Sequence, residues 1–184
     1  MNAIDLRTLY LNYSVVNIVS LFMMIVLWHQ SRKRFEGTHF FVLDFVFQIF
    51  CLLLIFLRGR IPDFFSMVVS NTASLTGTFL GLTGLARFIG KKVNNTFNIV
   101  FIFVFVIIHT WFGIFNPNLS ARNLNFSFFF MLLTVQCAWI LYTKIPPELK
   151  HLTRWTGVVF VLFSLVNVVR VIAFFFRDNL TNDY

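Results

Sequence analysis

Apolar residues fall into six runs, at residues 8–28, 39–57, 64–85, 96–115, 124–142 and 156–176, each broken from the next by a short polar turn. About 20 apolar residues in helical form cross the roughly 30 Å of bilayer hydrocarbon. Barrel strands need only about ten, so runs of this length predict helices. The breakers lie between the runs, in "SRKRFEG", "RGRIPD", "RFIGKKVNN", "NPNLSARN" and "KIPPELKHLTRW". The pattern predicts an all-α integral membrane protein, a six-transmembrane-helix bundle forming one domain over residues 1–184. It contains no soluble domain, low-complexity tract or internal repeat.

Composition agrees. The chain is 58% hydrophobic and 12% charged, with 27 Phe, whereas soluble domains carry about 25% charge. A mean hydropathy of +0.80 leaves too little polar surface to cover a water-soluble core. The bilayer is therefore the first partner. A net charge of +8 would suggest nucleic acid in a soluble protein. Here the basic residues sit in the turns, which points to topology, and no nucleic-acid partner is expected. Cys51 and Cys137 lie inside apolar runs without metal-ligand spacing, so neither a disulfide, a metal nor a cofactor is expected.

The turns after runs one, three and five hold nine basic residues: Arg32, Lys33, Arg34, Arg87, Lys91, Lys92, Lys144, Lys150 and Arg154. The opposite side holds five: Arg7, Arg58, Arg60, Arg122 and Arg177. The positive-inside rule places the larger set in the cytoplasm and both termini outside. Six crossings with an exterior C-terminus predict either a fragment or an unusual stand-alone membrane protein. Trp28, Trp111, Trp155 and Tyr142 stand near run ends, where interfacial aromatics belong.

Several motifs share one resemblance. Asp5-x-Arg7-Thr8 opens the first run. Phe35-Glu36-Gly37 closes a basic turn. "LRGRIPDFFSMVVSN" follows from Leu57, and Gly81-Leu82-Thr83-Gly84-Leu85 precedes a basic "RFIGKK". Together they resemble the N-terminal membrane input domain of bacterial diguanylate cyclases (GGDEF proteins) and related sensor histidine kinases. The resemblance covers nearly the whole chain and is strongest over residues 5–90. It implies a bacterial inner (cytoplasmic) membrane location, a homodimer, and a seventh helix leading to a cytoplasmic output domain. No GGDEF motif, phospho-acceptor histidine box or nucleotide-binding pattern occurs in these residues, and there is no Walker loop, HExxH or GxSxG. The chain is expected to have no catalytic turnover of its own.

Polar groups inside apolar runs carry the candidate chemistry, because charge in hydrocarbon costs several kcal/mol and faces the bundle interior. At 1.5 Å rise per residue, Arg170 lies about 10 Å below the outer surface, Asn71 about 12 Å and His109 about 10 Å. Asn167 is the i−3 neighbour of Arg170. These residues form an expected outer layer. It is either a pocket for a small polar or anionic ligand anchored on Arg170, with Arg58 in the roofing turn as a second contact, or a hydrogen-bonded layer that only holds helices together. Asp44, Gln48 and Gln136 form an expected inner layer. It is either a relay of helix packing, or a structural site in which Asp44 is protonated or paired with a base such as Arg87.

Ser66, Ser70, Ser74 and Thr78, followed by Gly81 and Gly84, mark the third run as the closely packed centre of the bundle. In "RGRIPD", Gly59 turns the chain, Pro62 opens the third helix and Asp63 is expected to cap it. The leading expectation is a sensory input module that binds a small ligand in its outer half. A small transporter or channel-like protein is the alternative, since it too would place Asp44 and Arg170 within the membrane.

Overall fold

The computed structural model describes residues 6–91, 95–145 and 147–181. Asp5, Lys92 and Tyr184 lie outside them, as do the side chains of Arg7 and Arg177. All regular structure among the described residues is helical; the sole bridge, Arg58 to Ile61, is isolated in a turn. The helices are α1 (Leu6–Ser31), α2 (Thr38–Phe56), α3 (Ser70–Phe88), α4 (Asn95–Thr110), α5 (Leu119–Thr143) and α6 (Pro147–Thr181). A wide π-helical turn, Phe64–Val69, leads into α3, and a second, Trp111–Phe115, ends α4.

Five segments are long and apolar enough to cross a membrane: Tyr10–Ser31, Thr38–Phe56, Asn95–Phe115, Leu119–Thr143 and Thr153–Phe174. The chain is a multi-pass membrane protein. The expected third crossing is not among the five. Ser70, Asn71, Thr72, Ser74, Thr76, Thr78 and three glycines dilute the apolar content of α3, although it is the most buried helix of its unit.

The chain forms two compact units, Met1–Phe88 and Ile89–Tyr184. In the first, α2 packs on both α1 and α3. The α3 side of the α2–α3 contact is a small-residue seam at Ser74, Gly77, Gly81 and Gly84. Its alternating spacing of four and three keeps one face toward α2. Added Cβ atoms measure the closeness. One at Gly81 would lie 2.7 Å from Asp44 Oδ2, and one at Gly84 would lie 2.9 Å from Phe40 Cβ. The seam ends at Gly37, whose φ of +86° is open to glycine at little cost; there a Cβ would lie 2.6 Å from Arg87 Cβ.

Hydroxyls along α3 turn back onto their own helix. Ser70 donates to the Ser66 carbonyl at 2.7 Å, Thr72 to Val68 at 2.8 Å and Thr83 to Phe79 at 3.0 Å. They are thereby satisfied without a solvent-filled cavity. The turn before α3 differs from expectation in one detail. Asp63 already has helical backbone angles and makes no side-chain cap, because the Pro62 carbonyl begins the helix by accepting from Phe65 and Ser66 N–H. Asp63 still complements the positive end of the helix.

In the second unit α5 is central, packing on α4 and α6. Phe105 is fully buried, with its ring 5.5 Å from that of Phe129, and Phe101 approaches Phe129 at 4.3 Å. Two sequence boundaries move. The Asn118 side chain accepts the Ala121 N–H at 3.0 Å, so α5 starts at Leu119 rather than near residue 124. Helix α6 starts at Pro147 rather than near residue 156, as proline at a first helical position permits. Much of what reads as turn is therefore helix.

Candidate functional site

The second unit contains a cleft of about 510 Å³ between the beginning of α5 and the far end of α6. Ser120, Asn123, Leu124 and Ser127 stand on one face of α5 by their three- and four-residue spacing. Arg170, Ala173 and Phe174 face them from α6 by the same rule, and Phe126 completes the apolar wall. Arg170 lies four residues inside the end of the Thr153–Phe174 apolar stretch, about 6 Å at helical rise. No acceptor among the described residues bonds its guanidinium. The cleft thus offers one fixed cation with five N–H donors, two hydroxyls, one amide and an apolar lining. That set suits a small anion or polar molecule with an apolar flank.

Of the expected outer layer, only Arg170 lines this cleft. Asn167 is buried and donates to the Phe163 carbonyl of its own helix at 2.8 Å. His109 is buried between α4 and α5, where its Nδ1 lies 3.4 Å from the Asn125 amide nitrogen and its ring stacks 4.8 Å from Phe105. That amide also donates to the Phe105 carbonyl at 3.3 Å. Asn71 and Arg58 belong to the first unit. The Asn71 amide donates to the Met67 carbonyl at 2.6 Å, and Arg58 is exposed in the turn.

Gln136, expected in the inner layer, exchanges two amide hydrogen bonds with Asn98 at 3.2 and 3.1 Å. Two residues earlier on α5, Ser164 of α6 donates to Thr134 Oγ1 at 2.9 Å. These pairs are saturated, and they join α4 to α5 and α5 to α6.

Asp44 and Gln48 do meet, in the first unit. Gln48 Nε2 donates to Asp44 Oδ1 and to the Ser74 carbonyl, both at 3.1 Å, and Ser74 Oγ donates to Gln48 Oε1 at 2.9 Å. The carboxyl group rests on the bare backbone of Gly77 and Gly81, where a Cβ would approach its oxygens to 2.8 and 2.7 Å. Arg87 is occupied elsewhere, its guanidinium lying 4.9 Å from the centre of the Phe40 ring.

Ser120 and Asn123 did not stand out in the sequence because their segment reads as a turn, and Ser127 because it is a single hydroxyl within the fifth apolar run. The signal that finds them is the Asn118 cap followed by polar residues at three- and four-residue spacing. Among the described residues no group of three or more His, Cys, Asp and Glu could hold a metal ion. Comparisons with protein-family models, curated proteins and solved structures find no match for this chain.

Proposed function

We propose that the chain is a membrane-embedded sensory input module that takes a small polar or anionic ligand in the Arg170 cleft and biases a cytoplasmic diguanylate cyclase or kinase output. The observation that carries the ligand reading is the convergence of Arg170 with Ser120, Asn123 and Ser127 on one cleft. A cation in an apolar stretch needs acceptors, water or an anion beside it, and the cleft leaves room for one. The output class rests on the motif resemblance alone, as do the homodimer and the bacterial cytoplasmic membrane.

The reading includes six crossings, with the continuous helix from Phe64 to Phe88 as the third. Support comes from its length of 25 residues, six in the π turn and 19 in α3, and from the basic residues at both its ends. With the N-terminus outside, single cysteines can report the sidedness, since Cys51 and Cys137 are buried. An impermeant thiol reagent should label Arg60→Cys in intact cells and Lys91→Cys only after permeabilisation. External labelling of Lys91→Cys reverses the orientation.

The ligand reading is tested by thermal unfolding of purified protein against inorganic phosphate and straight-chain carboxylates from acetate to octanoate. At least one should raise the midpoint of the wild type. Arg170→Ala should lose that rise, and Arg170→Lys, lacking the planar fork, should need about tenfold more ligand, equivalent to roughly 1.4 kcal/mol. An Arg170→Met protein stabilised as strongly as wild type removes Arg170 from the site. A small transporter or channel is the second reading, favoured by the Asp44 carboxyl seated within an apolar helix; it requires flux in liposomes that Asp44→Asn abolishes.

A further inference from the structure

We propose that a second cleft, at the α5–α6 turn, binds the headgroup of an anionic phospholipid. It has a volume of about 580 Å³ and is lined by Leu141 and Tyr142 from α5 and by Pro147, Lys150, His151 and Arg154 from α6. Because α6 begins at Pro147, those four positions fall on one helical face instead of in a loose turn. Between Lys144 and Arg154 the sequence holds three permanent cations and His151 against a single acid, Glu148. The charge pattern therefore selects an anion.

Position selects the kind of anion. The apolar stretch of α6 begins at Thr153, so Lys150 stands one turn before the hydrocarbon boundary and Arg154 just inside it. Lipid phosphate occupies this level, where each nearby Lys or Arg favours an anionic headgroup by about 1 kcal/mol, a factor of about five. Around the cleft the aromatics are those of an interface. Tyr142, Trp139 and Trp155 are 46%, 63% and 74% exposed. Gly157 lets the Tyr142 ring lie against α6 one turn beyond Arg154: a Cβ there would stand 3.1 Å from the ring and 3.4 Å from its hydroxyl. Tyr142 thus lines the same cleft as the cations, and Leu141 adds an apolar side chain to it. A soluble phosphate would use the cations alone. A phospholipid uses the cations, the hydroxyl and the exposed rings together.

The test uses the full chain in dodecylmaltoside with dioleoylphosphatidylglycerol, dioleoylphosphatidylcholine or inorganic phosphate, read by native mass spectrometry and thermal unfolding. Phosphatidylglycerol should be retained and should raise the unfolding midpoint; phosphatidylcholine should do neither. Lys150→Gln should weaken phosphatidylglycerol about fivefold, and Lys150→Gln/Arg154→Gln about thirtyfold. The charge-preserving Lys150→Arg/Arg154→Lys protein should bind as wild type does, which separates loss of charge from loss of fold. Equal retention of phosphatidylcholine, or full phosphatidylglycerol binding by the double Gln protein, overturns the proposal. Stabilisation by inorganic phosphate equal to that by phosphatidylglycerol, kept in Arg170→Ala and lost in the double Gln protein, would assign this cleft to a free anion and overturns the lipid reading as well.

Discussion

Gly37→Ala is expected to destabilise the first unit by roughly 2–5 kcal/mol, whereas Gly59→Ala should cost only about 1–2 kcal/mol. Both glycines have left-handed backbones, at φ +86° and +87°. An alanine at either therefore pays the same conformational penalty, offset in part by the stiffer unfolded chain. They differ in what surrounds the new methyl. At Gly59 nothing lies within 4 Å; at Gly37 the methyl would meet Arg87 Cβ at 2.6 Å and the Gly84 carbonyl oxygen at 2.8 Å. Neither neighbour is the free end of a flexible side chain. Relief requires moving the α3 backbone away from α2, and that disturbs the contacts along the seam. Equilibrium unfolding in a sodium dodecyl sulfate titration measures both variants. Equal losses would show that the seam is not closed at Gly37.

The apolar pattern located the helices well because a membrane helix must satisfy its backbone within itself and present apolar side chains to lipid. It read α3 less well. That helix answers to neighbours rather than to lipid, so its face is written in Ser and Gly, residues shared with turns. The spacing needed care too. A strict four-residue repeat through Ser66, Ser70, Ser74 and Thr78 drifts around the helix. The face that meets α2 instead alternates four and three, and so takes in Gly77. At α5 and α6 the breakers misled: Asn118 and Pro147 read as interruptions, yet act as a cap and a first helical residue. Ser120, Asn123, Lys150 and Arg154 were hidden by the same misreading.

Within the polar interior, side-chain type was legible and partnership was not. Asp44 and Gln48 were joined by their four-residue spacing, but Ser74 is 26 residues from Gln48 and could be placed beside it only by the fold. Gln136 has the same character as Gln48, yet its amide is taken up by Asn98, a residue that no motif or spacing singles out. An amide in a membrane helix bonds whatever complementary group shares its depth on the adjoining helix, and helix adjacency is not written in one sequence.

Gln48→Leu is the second substitution with a large expected effect. The Gln48 amide is the hub of the first unit's polar cluster: it donates to Asp44 Oδ1 and the Ser74 carbonyl and accepts from Ser74 Oγ. Leucine removes all three bonds. The Ser74 carbonyl keeps the Thr78 hydroxyl at 3.1 Å, but Asp44 Oδ1 and Ser74 Oγ lose the partner that Gln48 gave them. Two abandoned polar groups at about 1–3 kcal/mol each set the scale. Unfolded membrane helices find substitute partners, which pulls the total toward the low end, about 2 kcal/mol. Asp44→Leu/Gln48→Leu should recover about half of this loss, since Ser74 Oγ still lacks its Gln48 partner. The leucine end resembles the carboxyl in shape above Gly77 and Gly81, and an apolar pair leaves no charge or amide to satisfy. The double variant should therefore be more stable than Gln48→Leu alone, a non-additivity that a simple packing role would not produce. A Gln48→Leu protein within about 0.5 kcal/mol of wild type, or a double variant that loses the full sum of the two single losses, would show that the cluster does not hold α2 to α3.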